Sequence, residues 1–173
     1  IERFVVMIYN LTQPQLPPSH NPTRKVKGEF LVAGQTGALV IDPANSLRYA
    51  PLVRLLETAN QEAVIAVYTR TYPLFQEAYQ KQGYPDRYFN DRLIEVIDHL
   101  LATPVVTGSV QLIRPKFYYQ FADPKLEKLS AGQKIILRSG KENAGKLRKL
   151  MRSYRQRLAG MNPGEKREAG VDR

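Results

Sequence analysis

Between residues 61 and 102, apolar side chains recur every three or four positions on both sides of a break. Val64, Tyr68, Tyr72, Phe75 and Tyr79 precede it, and Phe89, Leu93, Ile97 and Leu100 follow it. That spacing lays one apolar stripe along each of two helices. Asn60 is placed to cap the first, predicted over 61–82, and Gly83 to end it. Asp86 is the expected cap of the second, over 87–102, which Thr103-Pro104 stops. The short Gly83-Tyr84-Pro85-Asp86 connection predicts an antiparallel pair at the centre of the domain. Pro73 lies inside the first helix, where it removes a backbone bond and crowds the turn before it. A kink or break is expected near Thr69–Tyr72.

The remaining pattern fills in around this pair. Ile1, Phe4, Val5, Ile8 and Leu11 make residues 1–11 a helix, and its uncapped start on an apolar face implies further chain upstream. Residues 12–27 are Pro-rich and polar, an extended crossing. Glu29–Ala33 and Ala38–Asp42 read as a β-hairpin with Gly34-Gln35-Thr36-Gly37 as its loop. Asp42-Pro43 and Ala50-Pro51 each signal a helix start, predicting a short turn at 43–48 and a separate helix at 51–58. Ser109–Arg114 reads as a short strand, and Lys116–Phe121 fits either strand or helix. Asp123-Pro124 opens a short helix. Ser130 and Gln133 have capping-box spacing, and Ser139 and Glu142 repeat it before a helix that runs to Gly160. That last helix carries Leu147, Leu150, Met151, Tyr154 and Leu158 on one stripe. The fold class is α+β, mainly α: about seven helices around a single core with a small β-hairpin and room for a third strand. Residues 1–160 form a single globular domain in this reading, and 161–173 a flexible tail.

Composition narrows the chemistry. At 43% hydrophobic and 24% charged residues, the chain has the balance of an ordinary globular domain. It has no cysteine, which excludes disulfides, thiolate zinc sites and a cysteine nucleophile. No run approaches the roughly 20 apolar residues of a membrane span. The net charge is +10, and residues 138–173 carry +7 of it, all between Arg138 and Arg157. The basicity therefore belongs to the last helix.

Four clusters are candidates for function. Tyr84, Asp86, Tyr88 and Asn90 surround the turn between the two main helices, where phenols beside a carboxylate and an amide suit a sugar or peptide. The plainer reading packs the rings and spends the hydroxyls on the turn. Arg48 and Tyr49 offer a guanidinium fork for an anion, or else an anchor for a loop on an acidic face such as Glu95 or Asp98. Asp91, Glu95 and Asp98 share one stripe with His99 a turn beyond Glu95, but one helix supplies a single wall and His20 lies in the Pro-rich segment. They read as surface ion pairs rather than a metal site. Lys146, Arg148, Lys149, Arg152 and Arg155 form a basic face on the last helix. It reads as solvated surface first, a contact with an anionic membrane surface second, and a nucleic-acid contact third. No nucleotide, metalloprotease or nucleophile-elbow motif occurs, and no cofactor or metal is implied.

Three phrases go beyond composition: IDPANSLRYAPLV, LFQEAYQKQGYPDRYFNDRLIEVIDHLLATP and FADPKLEKLSAGQKIILRSGKENA. Together they resemble the bacterial family known as domain of unknown function 3014, over roughly residues 1–158. The resemblance implies an N-terminal membrane anchor upstream, a proline-rich linker, and this domain on the periplasmic side of the inner membrane. It supplies no activity and no catalytic residue. The expectation is a non-catalytic envelope domain that binds a protein, peptidoglycan or a membrane surface. An enzyme with a Tyr/Asp/Asn-lined cleft and a nucleic-acid binder are the alternatives.

Overall fold

The hub of the molecule is its last helix. A computed structural model describes residues 1–15, 26–35 and 37–161. Among these are seven helices: α1 Glu2–Asn10, α2 Asn45–Thr58, α3 Gln61–Lys81, α4 Phe89–Leu101, α5 Pro124–Glu127, α6 Ala131–Arg138 and α7 Lys141–Ala159. The strands are β1 Val32–Ala33, β2 Leu39–Ile41, β3 Gln111–Ile113 and β4 Gln120–Phe121. Most of the crossing predicted over 12–27, with His20, and nearly all of the tail fall outside the described residues. The chain is thus mainly helical with a small antiparallel sheet, as the pattern predicted.

α7 lies between α4 and α2, which make the most extensive helix–helix contacts in the structure. The predicted antiparallel pair of α3 and α4 is therefore not the centre: the first turn of α4 meets α3 from Tyr68 to Tyr79. Instead these two helices share an aromatic core with α1, built on Val5, Ile8, Tyr72, Ala78, Tyr79, Phe89 and Val96. Phe89 is stacked on Phe75 at 5.6 Å and meets Tyr79 edge-on at 5.8 Å. Leu93 and Leu100 pack against this core from its rim.

Three predicted boundaries are corrected. α2 is one continuous helix with Pro51 inside it, and α3 runs unbroken through Pro73. Both prolines sit on exposed faces, where the carbonyl robbed of its partner reaches water, while Tyr72 and Tyr79 hold α3 in line. Asp86 does not cap α4. The helix starts at Phe89, whose N–H donates to Gln76 Oε1 at 2.9 Å, while Gln76 Nε2 donates to the Arg87 carbonyl at 2.8 Å. A glutamine of α3 thus caps α4 across space, a device no local motif records.

Of the two capping boxes, only the first forms. Ser130 accepts from Gln133 N, and Gln133 accepts from Ser130 N. Ser139 instead ends α6, donating to the Ile136 carbonyl, and Gly140 begins α7. Gly140 has φ 86°, and a Cβ there would lie 3.0 Å from that of Ser46, so the α6–α7 corner needs glycine both for its turn and for the approach of α2. Asn143 fixes the same corner, donating to the carbonyls of Ser46 and Ser139.

The sheet extends the predicted hairpin to the order β1-β2-β3-β4, all antiparallel. Val32 lies opposite Ile41, Leu39 opposite Leu112, and Leu112 opposite Phe121. Leu112 and Phe121 are buried while Gln111, Ile113 and Gln120 face out, the alternation of a sheet covered on one side. The ambiguous segment Lys116–Phe121 resolves into a loop ending in β4.

Candidate functional site

The residues singled out around the α3–α4 turn do not converge. Tyr84 stacks on Tyr79 at 4.8 Å and lies beside Tyr9, facing α1. Its hydrogen bond with Tyr9, with burial second, pushes its phenol pKa up. Asn90 is buried on another side, accepting from Tyr68 Oη and donating to the Leu158 carbonyl of α7. Asp86 and Tyr88 are exposed. The turn is a packed junction with two outward side chains, not a cleft.

Arg48 spends its fork on the fold. Nε and Nη2 donate to the Lys27 and Gly28 carbonyls, and Nη1 donates to Asn45 Oδ1. Its guanidinium carbon is 6.0 Å from the Tyr49 ring. Asn45 is almost fully buried. Its amide accepts from Leu31 N and donates to the carbonyls of Leu31 and Asp42, pairing with the chain at the head of β1 as a neighbouring strand would.

The acidic stripe is likewise divided. Asp98 receives a two-pronged bond from Arg155 that holds its carboxyl below the usual range, and Glu95 pairs with Arg92 at 3.1 Å. Among the described residues no three His, Asp or Glu side chains gather where a metal ion could be held.

His99 Nε2 lies 2.9 Å from Ser130 Oγ. That oxygen also accepts from Gln133 N, so the ring is tied to the cap of α6. Burial first, and the Arg92 charge second, push the His99 pKa down. A depressed native pKa means the unfolded chain binds the proton more readily. Stability from this site is therefore full above about pH 6.5 and is lost as pH falls through the native value. Urea titrations between about pH 5 and 7 should show a slope that His99→Gln removes. An identical slope in wild type and variant would refute it.

Of the five basic side chains singled out on α7, three have partners inside the fold. Lys146 pairs with Glu142 at 2.8 Å and reaches Glu57 at 3.9 Å. Arg148 donates to the Thr103 carbonyl, and Arg155 binds Asp98. Lys149 and Arg152 are exposed.

The concave site lies elsewhere, where three separate segments meet. A cleft of about 480 Å³ opens between β2, the start of α2, the loop at 104–110 and the α6–α7 corner. Ile41, Val105, Val110, Ile136 and Leu137 make its apolar walls, and Arg138, Lys141 and Arg148 its basic side. The Arg148 Nε is buried without a partner among the described residues. Gly140 offers no capping side chain, so the first turn of α7 borders the cleft with its amides uncapped. The acids and one hydroxyl of the lining are engaged: Asp42 accepts from Ala44 N, Ser46 Oγ donates to the Pro43 carbonyl, and Glu142 binds Lys146. No histidine lines it. Only its basic edge, in Arg138 and Arg148, was foreshadowed by the charge pattern. The walls come from residues 41–46, 104–110 and 136–148, which a one-dimensional pattern cannot join.

No curated protein and no solved structure matches this chain. One family model does, described as "Protein of unknown function (DUF3014)", over residues 1–155. That match spans α1 through most of α7, the helix on which the fold converges, and the chain belongs to this family.

Proposed function

We propose that the domain is a non-catalytic binding module of the bacterial cell envelope, whose ligand occupies the cleft at the α6–α7 corner. The observation that carries this reading is the cleft itself: apolar walls, one basic side, and lining acids already committed to the fold. Such a lining suits an amphipathic ligand bearing a carboxylate, and the stem peptide of peptidoglycan has that chemistry. The periplasmic address and the upstream anchor belong to the proposal and rest on the resemblance to the family. Membership of the family brings no activity with it.

Backbone-amide NMR with soluble muropeptides tests it. Resonances of Val106, Gly140 and Gly145 should shift together, and Lys141→Gln should weaken the effect. Shifts confined to other surfaces, or none at all, would remove the cleft from consideration. Mass spectrometry of the recovered muropeptide separates binding from turnover, since a cleaved product would favour the enzyme reading.

A further inference from the structure

A second surface stands apart from the cleft, at the tip of the β3–β4 hairpin. Ile113 pairs with Gln120, and residues 114–119 (RPKFYY) close the hairpin between them. Phe117 and Tyr118 are 83% and 82% exposed, more than any other large apolar side chain among the described residues. Water contact on two adjacent rings is unfavourable, and folding has not removed it.

The base of the hairpin is firmly held. Tyr119 lies against Phe30 at 6.0 Å, with the Arg114 guanidinium over its ring at 5.2 Å. The Arg138 guanidinium lies over both Phe30 and Phe121. Of three consecutive aromatic residues, the last is anchored and the first two project. A braced base presenting two rings is what an insertion loop requires.

Charge around the tip is one-sided. Arg114 and Lys116 are exposed on the loop, and Lys125 and Lys128 are exposed on α5, which packs beside β4. The acids of this region turn to local partners: Asp123 caps α5, and Glu127 accepts from Phe121 N and pairs with Lys134. The loop that carries the rings is therefore cationic, with Arg114 and Lys116 and no acid between 114 and 119.

We infer that the β3–β4 tip is a membrane-contact loop, with Phe117 and Tyr118 entering the headgroup region of an anionic bilayer and Lys116, Lys125 and Lys128 meeting lipid phosphates. Aromatic rings flanked by lysine and arginine suit the depth at which apolar and charged layers meet. A protein partner fits the observations less well. Two projecting side chains do not approach the roughly 800 Å² per partner of a stable protein interface. Each cation near an anionic surface adds to attraction without needing a shaped counterpart. On α7, Lys146, Arg148 and Arg155 are less available, since they are bonded within the fold.

The chain has no tryptophan, so Phe117→Trp places a single reporter at the tip. Its emission should shift to the blue with phosphatidylglycerol-containing vesicles, and should not with pure phosphatidylcholine vesicles. In co-sedimentation, Phe117→Ser with Tyr118→Ser should weaken binding about tenfold or more. Lys116→Gln should weaken it about fivefold and reduce its salt sensitivity. Thermal midpoints should stay unchanged, because these side chains are exposed. Lys149→Gln with Arg152→Gln should leave binding intact. If that pair abolishes binding while the tip variants do not, the contact is α7 and the inference falls. If wild type ignores anionic vesicles even at low salt, the inference also falls, and the tip is left for a groove in another protein.

Discussion

Phe89→Ala is expected to lower the unfolding free energy by about 3–5 kcal/mol, the largest effect of any single truncation in this domain. Phe89 has no exposed surface and contacts two other rings, so the cavity left behind has rigid walls on two sides. Its position at the first turn of α4 adds a second consequence. The Phe89 N–H is capped by Gln76, whose Oε1 also accepts from Tyr72 Oη at 2.8 Å. Collapse around the missing ring would pull this junction apart and fray the start of α4. Urea denaturation monitored by circular dichroism measures the loss. Amide exchange at residues 89–92 should accelerate beyond that of the rest of α4. A loss below about 1 kcal/mol would mean that the core is centred elsewhere.

Asn45→Ala comes next, at about 2–3 kcal/mol. The cost is not an apolar cavity. Removing the amide strips Leu31 N–H of its acceptor, takes a donor from the Leu31 and Asp42 carbonyls, and leaves Arg48 without one of its three acceptors. β1 is only two residues long and lies at the sheet edge, so it depends on this side chain for registry with α2. Exchange at Leu31 and Val32 should rise sharply while α4 is unaffected. Asn45→Asp keeps the acceptor and loses the donors, so it separates the two halves of the contact. If Asn45→Ala melts at the wild-type midpoint, β1 is held by its strand pairing alone.

The contrast between these two positions explains what the chain disclosed before its structure. The helices of 61–102 were legible because a stripe such as Tyr68-Tyr72-Phe75-Tyr79 repeats with the period of the helix and needs no partner to be recognised. The Ser130–Gln133 box was legible because both members of the contact lie within one turn. Asn45, Gln76 and Asn143 were not, since each polar side chain acts on backbone far away in sequence. The same difference moved the start of α4 from residue 87 to Phe89. Charge pattern located the basic helix correctly but could not tell free cations from bonded ones: Arg155 and Lys149 look alike in sequence, and only the first faces a carboxylate. The cleft was invisible for the same reason as Asn45, because its walls come from three separate segments.

The position of α7 bears on how the chain reaches this state during synthesis. The helix against which α2 and α4 both pack comes after every other helix and strand among the described residues. A nascent chain that stops at the α6–α7 corner lacks the helix on which α2 and α4 make their most extensive helix–helix contacts. The packing of α2 and α4 therefore cannot be completed until their shared neighbour has emerged. A premature stop near residue 140 would then yield an insoluble fragment rather than a smaller working domain.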